Sequence, residues 1–125
     1  MACLSGLILT LMLIVGATGL LSVPAMAIDT MESSVLERGE QIFNSNCAAC
    51  HMGGGNVMSA NRTLKISDLN DHMEAFSNSP LEALKHEIED GLNAMPSYAD
   101  KLSEEEIMAV ATYVEQRAEL GWSRR

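Results

Sequence analysis

Hydrophobic and polar positions divide the chain into two unlike segments. Residues 4–23 form a predominantly apolar run, whereas apolar residues further along recur three or four positions apart, the spacing of amphipathic helices. All charged side chains, 17 acidic and 8 basic, lie at or beyond Asp29. The pattern therefore predicts a leader over residues 1–27 and a separate polar domain over residues 28–125.

The leader has the features of an export signal. Its apolar run is followed by Pro24 and by Ala25-Met26-Ala27, a small-x-small pattern typical of signal-peptide cleavage sites. We expect removal after Ala27. An uncleaved membrane anchor is the alternative, because about 20 apolar residues are enough to span a bilayer. No Lys or Arg precedes the run, which departs from the usual signal-peptide pattern.

The periodicity of the polar domain predicts short helices and no strands. The first helix carries its apolar stripe through Val35–Phe43 and is expected to begin at a cap on Ser33 or Ser34. A second, short helix is expected over Asp68–Phe76, capped by Ser67.

Two later helices have clearer boundary signals. Ser79-Pro80-Leu81-Glu82 combines a capping residue, a proline at the first helical position and an acid two residues later, and Gly91 is a typical stop. The last helix is expected to begin at Ser103-Glu104-Glu105-Glu106, a capping box with acids at the positive end of the helix dipole, and to end at Gly121. The prediction is an all-α fold of about four helices.

Composition narrows the function. The formal net charge of -9 argues against nucleic-acid binding, which requires a basic surface to neutralise phosphates. The domain has few large side chains for its core; its aromatic residues are Phe43, Phe76, Tyr98, Tyr113 and Trp122. Small domains with so little core material commonly depend on a disulfide, a metal or a cofactor.

Cys47-Ala48-Ala49-Cys50-His51 is the motif with the clearest chemistry. A thioredoxin-like redox pair would need a preceding strand, which the pattern does not predict. A zinc site would need further ligands, and His72 and His86 are distant in sequence. Covalent haem attachment is favoured: two thiols one helical turn apart match the two porphyrin vinyl groups, and the histidine that follows lies under the iron. Met52-Gly53-Gly54-Gly55-Asn56 then predicts a loop.

A second axial ligand must come from further along the chain. Met52 is adjacent to His51 and Met108 lies on the last helix, so five candidates remain: His72, His86, Met58, Met73 and Met95. Met95 is favoured because it lies in a loop between Gly91 and Tyr98, where Pro96 restricts the preceding backbone to extended geometry. Methionines on helices are more often packing residues.

Four stretches resemble the cytochrome c6 family of cyanobacteria and algae. They are Asn46–Asn56, Asn93–Pro96, Leu102–Ile107 and Gly121-Trp122. The resemblance extends in order over residues 28–122. It implies a small all-α class I cytochrome c fold.

The resemblance also implies a site. Cys47 and Cys50 would attach one haem c covalently, and His51 and Met95 would be its axial ligands. The protein would be an electron carrier and not an enzyme, taking electrons from the cytochrome b6f complex to photosystem I or to a terminal oxidase. It would work in the thylakoid lumen, with the periplasm as the alternative.

Two further features follow from the resemblance. Gly39 and Phe43 would pack against Tyr113 where the first and last helices cross. Glu87 stands where the family commonly has glutamine, and a carboxylate near the haem would lower the reduction potential. A lower-potential relative is therefore one alternative. A gas-binding haem module, in which Met95 dissociates, and an assembly protein using the cysteines as a metal clip are two others.

Overall fold

The structure, a computed structural model, describes residues 25–123, with side chains from residue 30 onward. Its elements are α1 (Ala25–Asn46), α2 (Ala48–His51), a 3-10 turn (Met52–Gly54), α3 (Ile66–His72), α4 (Pro80–Asp90) and α5 (Glu104–Glu119). The predicted all-α fold is confirmed, since the described residues contain five α-helices and, apart from one isolated bridge, no strand. None of these helices is both long and apolar enough to cross a bilayer.

The predicted leader lies almost entirely outside the described residues. Only Ala25–Ala27 are included, as the first residues of α1. Removal of the leader after Ala27 therefore stays a prediction.

Helix α1 begins earlier than the sequence pattern indicated. It starts at Ala25, so Ser33 and Ser34 lie inside the helix and the predicted cap is wrong. Instead, the Ser34 hydroxyl donates to the Met31 carbonyl oxygen at 2.7 Å. A serine whose hydroxyl bonds to a carbonyl of its own helix can lie inside that helix. Serine alone therefore did not indicate where α1 begins.

Helix α3 also differs from its prediction. It runs from Ile66 to His72 and is flanked by Lys65, so Ser67 is not its cap. The carboxylate of Asp68 accepts hydrogen bonds from the Thr63 hydroxyl at 2.6 Å and the Thr63 backbone N–H at 3.1 Å. Asp68, inside the helix, thus binds Thr63 in the loop that precedes the helix.

Helix α4 has the predicted boundaries. Pro80 is its first residue and Gly91, with φ of 71°, follows its last. Ser79 precedes the helix without forming a side-chain cap bond.

Helix α5 begins with the predicted capping box. The Glu106 N–H donates to the Ser103 hydroxyl at 3.2 Å, and the Ser103 N–H donates to the Glu106 carboxylate at 3.0 Å. The helix ends at Glu119, shortly before Gly121.

The core is centred on the crossing of α1 and α5. A Cβ atom on Gly39 would lie 2.2 Å from the Ala109 carbonyl oxygen, so only glycine permits this approach. Phe43 and Tyr113 meet beside it with ring centroids 5.4 Å apart. The predicted crossing is confirmed, and Val110 on α5 is completely buried next to it.

Helix α4 packs against α5 from another side. Its Ala83, Leu84 and Ile88 are buried in the same apolar cluster. Lys85 of α4 pairs with Glu104 at the start of α5 at 3.3 Å. The two loops that follow α2 and α4 then enclose a space against this core.

Candidate cofactor site

The two cysteines are presented on one helical turn. The Cys47 N–H donates to Phe43 O at 2.8 Å at the end of α1, and Cys47 O accepts from the N–H groups of Cys50 at 3.1 Å and His51 at 2.9 Å. These local bonds confirm that Cys47, Cys50 and His51 share the predicted turn. Both cysteines carry free thiols.

The Cys47 thiol is poorly suited to be the attacking cysteine of a redox pair. Burial, with a smaller contribution from Cys50, raises the pKa of Cys47 to about 11. A catalytic cysteine in a redox pair needs a lowered pKa. The zinc alternative also lacks support, because no three His, Cys, Asp or Glu side chains in residues 30–123 converge as metal ligands.

His51 is held by the loop that follows it. Its Nδ1 atom lies 2.9 Å from the Gly55 carbonyl oxygen. A carbonyl only accepts hydrogen bonds, so Nδ1 carries the proton and Nε2 keeps its lone pair free for a metal. The imidazole is therefore in the tautomer that an axial ligand requires.

Met95 is presented by a tight turn after α4. The Leu92 N–H donates to Met95 O at 3.1 Å and the Met95 N–H donates to Leu92 O at 2.9 Å. Asn93, at φ of 54°, adopts the left-handed conformation within the turn. A Cβ on Gly91 would lie 2.5 Å from Met95 O, so glycine is required for the chain to fold back here.

Tyr98 connects the two halves of the site. Its hydroxyl donates to Asn46 O at 2.9 Å, so the loop that carries Met95 is bonded to the residue before Cys47. Burial, and to a lesser extent the nearby Cys47 and Cys50, raise the pKa of Tyr98. A tyrosine hydroxyl is protonated at neutral pH even at its ordinary pKa of about 10, so this hydroxyl is a donor.

These elements enclose a cavity of ≈ 410 Å³. All four predicted site residues line it: Cys47, Cys50, His51 and Met95. Its apolar walls include Phe43, Leu69, Leu84, Ile88, Val110 and Val114. The volume is within the range of cofactor sites, about 300–1,000 Å³. Two thiols, an imidazole with a free Nε2 and a thioether match the groups that hold haem c.

Three of the four other candidate ligands also lie at the cavity. His72, Met58 and Met73 also line the cavity, whereas His86 does not. The His86 Nδ1 atom instead lies 3.0 Å from the Asp90 carboxylate on an exposed face of α4. The structure therefore removes one of the alternatives to Met95.

Other cavity residues had weak or no signals in the sequence. Glu87 lines the cavity, where the resemblance placed a departure from the family. Arg62 and Thr63 line it too, and no motif singled them out. The Tyr98–Asn46 bond joins residues 52 positions apart, so periodicity did not predict it.

Comparisons with known proteins agree with this geometry. A family model described as cytochrome C oxidase, cbb3-type, subunit III matches residues 34–114, which include all four predicted site residues. Cytochrome c6 of Limnospira maxima is 45% identical over 84 residues, covering 67% of this chain and 94% of the relative. Cytochrome c6 of a Synechococcus strain is 40% identical over 110 residues, covering 88% and 89%.

Solved structures show the same fold. Cytochrome c6 from the diatom Phaeodactylum tricornutum superposes with a TM-score of 0.66 at 42% identity, covering 70% of this chain and 98% of that one. Oxidised cytochrome c6A from Arabidopsis thaliana superposes with a TM-score of 0.63 at 28% identity, covering 73% and 97%.

Helical architecture, a Cys-x-x-Cys-His turn and a cavity of cofactor size together define a small class I c-type cytochrome. Such proteins bind haem c covalently and carry electrons. Within that class, the chain belongs to the cytochrome c6 family.

Proposed function

We propose that Cys47 and Cys50 hold haem c through thioether bonds, with His51 and Met95 as its axial ligands. We propose further that the mature domain, residues 28–125, carries single electrons from the cytochrome b6f complex to photosystem I. The supporting observation is that these four residues, three from the Cys47–His51 helical turn and one from the loop after α4, line one cavity.

The haem would supply a one-electron couple, and the chain would adjust its reduction potential. His51 and Met95 would both ligate the iron, which would leave no position for a substrate. The soft thioether of Met95 favours the ferrous state, and apolar walls favour it as well. The Gly55 carbonyl orients His51, and the Tyr98 hydroxyl holds the Met95 loop near Cys47.

The charge of the chain supports a role in transient encounters. A net charge of -9 attracts partners with basic docking faces and accelerates their association. We therefore expect electron-transfer rates to fall as salt increases, because mobile ions screen exposed charges. Flash-induced oxidation of the reduced holoprotein by isolated photosystem I tests this role. Slow, salt-independent oxidation would contradict it.

We also propose that the leader directs the protein to the thylakoid lumen and is removed after Ala27. The support is the charge-free apolar run and its small-x-small end. Sequencing the amino terminus of protein from its native compartment tests this. Ile28 is the expected first residue, and an intact leader would support an anchor.

A second candidate is a lower-potential carrier serving a terminal oxidase. Glu87 favours it because this acidic residue lines the cavity, and the description of the matching family model names an oxidase. Redox titration separates the candidates, because a photosystem I donor requires the higher potential.

The site assignment is tested first by mass and then by substitution. Denatured holoprotein should retain the mass of one haem, and Met95→Ala should keep that mass while its reduction potential falls. Met58→Leu and Met73→Leu are matched controls, since both residues line the same cavity. A fall in potential in either control, with none in Met95→Ala, would show that another sulfur is the ligand.

Carbon monoxide tests the gas-binding alternative on the same samples. The proposed ligand set predicts slow or absent binding to the wild type and ready binding to Met95→Ala. Ready binding to the wild type would instead favour a gas-binding module.

A further inference from the structure

Trp122, beyond the last helix, has a strained backbone. Its φ is 57°, and Asn93 is the only other non-glycine residue with positive φ between residues 25 and 123. A bulky side chain rarely adopts this conformation, which persists only where the surroundings impose it. The contacts of Trp122 therefore indicate which interaction this backbone conformation maintains.

The indole is held by contacts on several sides. Its Nε1–H donates to Leu64 O at 2.8 Å. Its ring centroid lies 5.3 Å from that of Phe43 and 6.3 Å from that of Tyr113. The guanidinium of Arg117 lies 5.8 Å from the ring centroid.

The indole also covers the glycine loop beside the cavity. A Cβ on Gly54 would lie 2.3 Å from Trp122 Cγ, so the ring is in direct contact with the loop backbone. The Leu64 N–H donates to Gly54 O at 2.8 Å. Trp122 thus contacts both partners of this hydrogen bond.

The next residue of that loop, Gly55, accepts a hydrogen bond from His51. The Gly55 carbonyl oxygen lies 2.9 Å from His51 Nδ1, and the Gly55 N–H donates to Met52 O at 3.1 Å. A displacement of Gly54 would move the Gly55 carbonyl with it, because the two residues are consecutive.

We propose that Trp122 is a positioning residue for the axial histidine. By holding Gly54 against Leu64, it fixes the carbonyl that accepts the hydrogen bond from His51 Nδ1–H, and so fixes the tautomer and orientation of the imidazole. The proposal rests on the proposed function in requiring that His51 ligate the iron. Such partners of a ligating histidine commonly affect the metal site strongly.

Exchange of the His51 Nδ1 proton with solvent, measured by NMR on reduced holoprotein, provides the test. Trp122→Phe keeps a ring but removes the N–H that bonds Leu64. Gly54→Ala adds a Cβ that displaces the indole. Gly53→Ala is the matched control, since Gly53 also has positive φ, of 62°, but has no heavy atom within 4 Å of its Cβ position.

We expect exchange of this proton to accelerate about tenfold in Trp122→Phe and Gly54→Ala, because a weakened hydrogen bond opens more often. Gly53→Ala should stay within about twofold of the wild type. Unchanged exchange in the first two variants, or equal acceleration in the control, would overturn the proposal. The buried Val110 amide reports global unfolding, and its acceleration by the same factor would overturn the proposal as well.

Haem mass and the absorption spectrum of the wild-type sample report the proposed function independently. A wild type with no haem or no histidine ligation refutes that function before any variant is compared. A normally ligated wild type whose variants exchange normally refutes only the role of Trp122.

Discussion

The helix crossing and the cavity rim are built on different principles. At the crossing, α1 and α5 meet through Gly39 and bury apolar side chains such as Phe43 and Val110 against each other. The cavity rim, defined here as residues 52–64 and 91–98, leaves large apolar side chains exposed. Met52 is 78% exposed, Val57 and Met58 are each 69% exposed, and Leu92 is 44% exposed.

The difference shows which region depends on the cofactor. The crossing gains stability from apolar burial between its own helices. The rim is held by backbone hydrogen bonds, left-handed residues and a few long-range side-chain bonds. Some of its apolar residues, including Met58, Leu64 and Leu92, line the cavity. A bound haem would complete the apolar contacts that the rim cannot make by itself.

The largest expected effect is the loss of covalent attachment. Cys47→Ala combined with Cys50→Ala should abolish the holoprotein and leave a largely unfolded chain, because the crossing alone is too small a core. Circular dichroism and intact mass measure the two effects. Met52→Leu, an exposed neighbour, should attach haem normally. A helical double variant that unfolds cooperatively would show that the crossing suffices without the haem.

Gly39→Ala should destabilise the crossing by about 3 kcal/mol, because the added methyl group would overlap Ala109 O. Helix propensity alone predicts the opposite sign, a gain of about 0.5–1 kcal/mol. Denaturant unfolding of the holoprotein measures the change. Gln41→Ala, on an exposed position of the same helix, should stay within about 0.5 kcal/mol of the wild type. A stabilised Gly39→Ala variant would contradict the close crossing.

Glu87→Gln changes the charge of a cavity-lining residue and leaves the helix crossing unchanged. Removing a negative charge that favours the ferric state should raise the potential by some tens of millivolts, where about 59 mV corresponds to a tenfold change in the equilibrium constant. Redox titration measures this shift. Glu82→Gln is the control, since Glu82 is exposed on the same helix and does not line the cavity. Equal shifts in both variants would indicate a general surface-charge effect.

The smallest expected effect is a loss of stability at low pH from the hydrogen bonds between Asp68 and Thr63 of the rim. Hydrogen bonds from the Thr63 hydroxyl, then from its N–H, lower the pKa of Asp68. A carboxyl group whose pKa is lowered by folding stabilises the fold above its ordinary pKa, about 3.9, and this stabilisation is lost as pH falls through the lower folded value. The melting temperature of Asp68→Asn should therefore approach that of the wild type as pH decreases from about 5 to 3. Asp71→Asn, which changes an exposed carboxyl on the same helix, is the control. A difference for Asp68→Asn that stays constant, or that shrinks no more than the difference for Asp71→Asn, would refute the role of Thr63.

Local signals in the sequence were reliable where the bonds themselves are local. The turn from Cys47 to His51 and the capping box at Ser103 each depend on residues three or four positions apart. Gly91 could be identified as a stop because a left-handed residue favours glycine. The start of α1 could not be identified, because Ser34 has the chemistry of a cap but bonds back to its own helix.

By itself, the sequence determined the helical class, the attachment motif and the resemblance to cytochrome c6, since each is expressed in neighbouring residues. Only the tertiary structure decided which side chains share the cavity and how its rim is held. The bonds of Tyr98 to Asn46 and of Trp122 to Leu64 join residues 52 and 58 positions apart. Contacts at such separations follow from the packing of the whole chain, and no local periodicity encodes them.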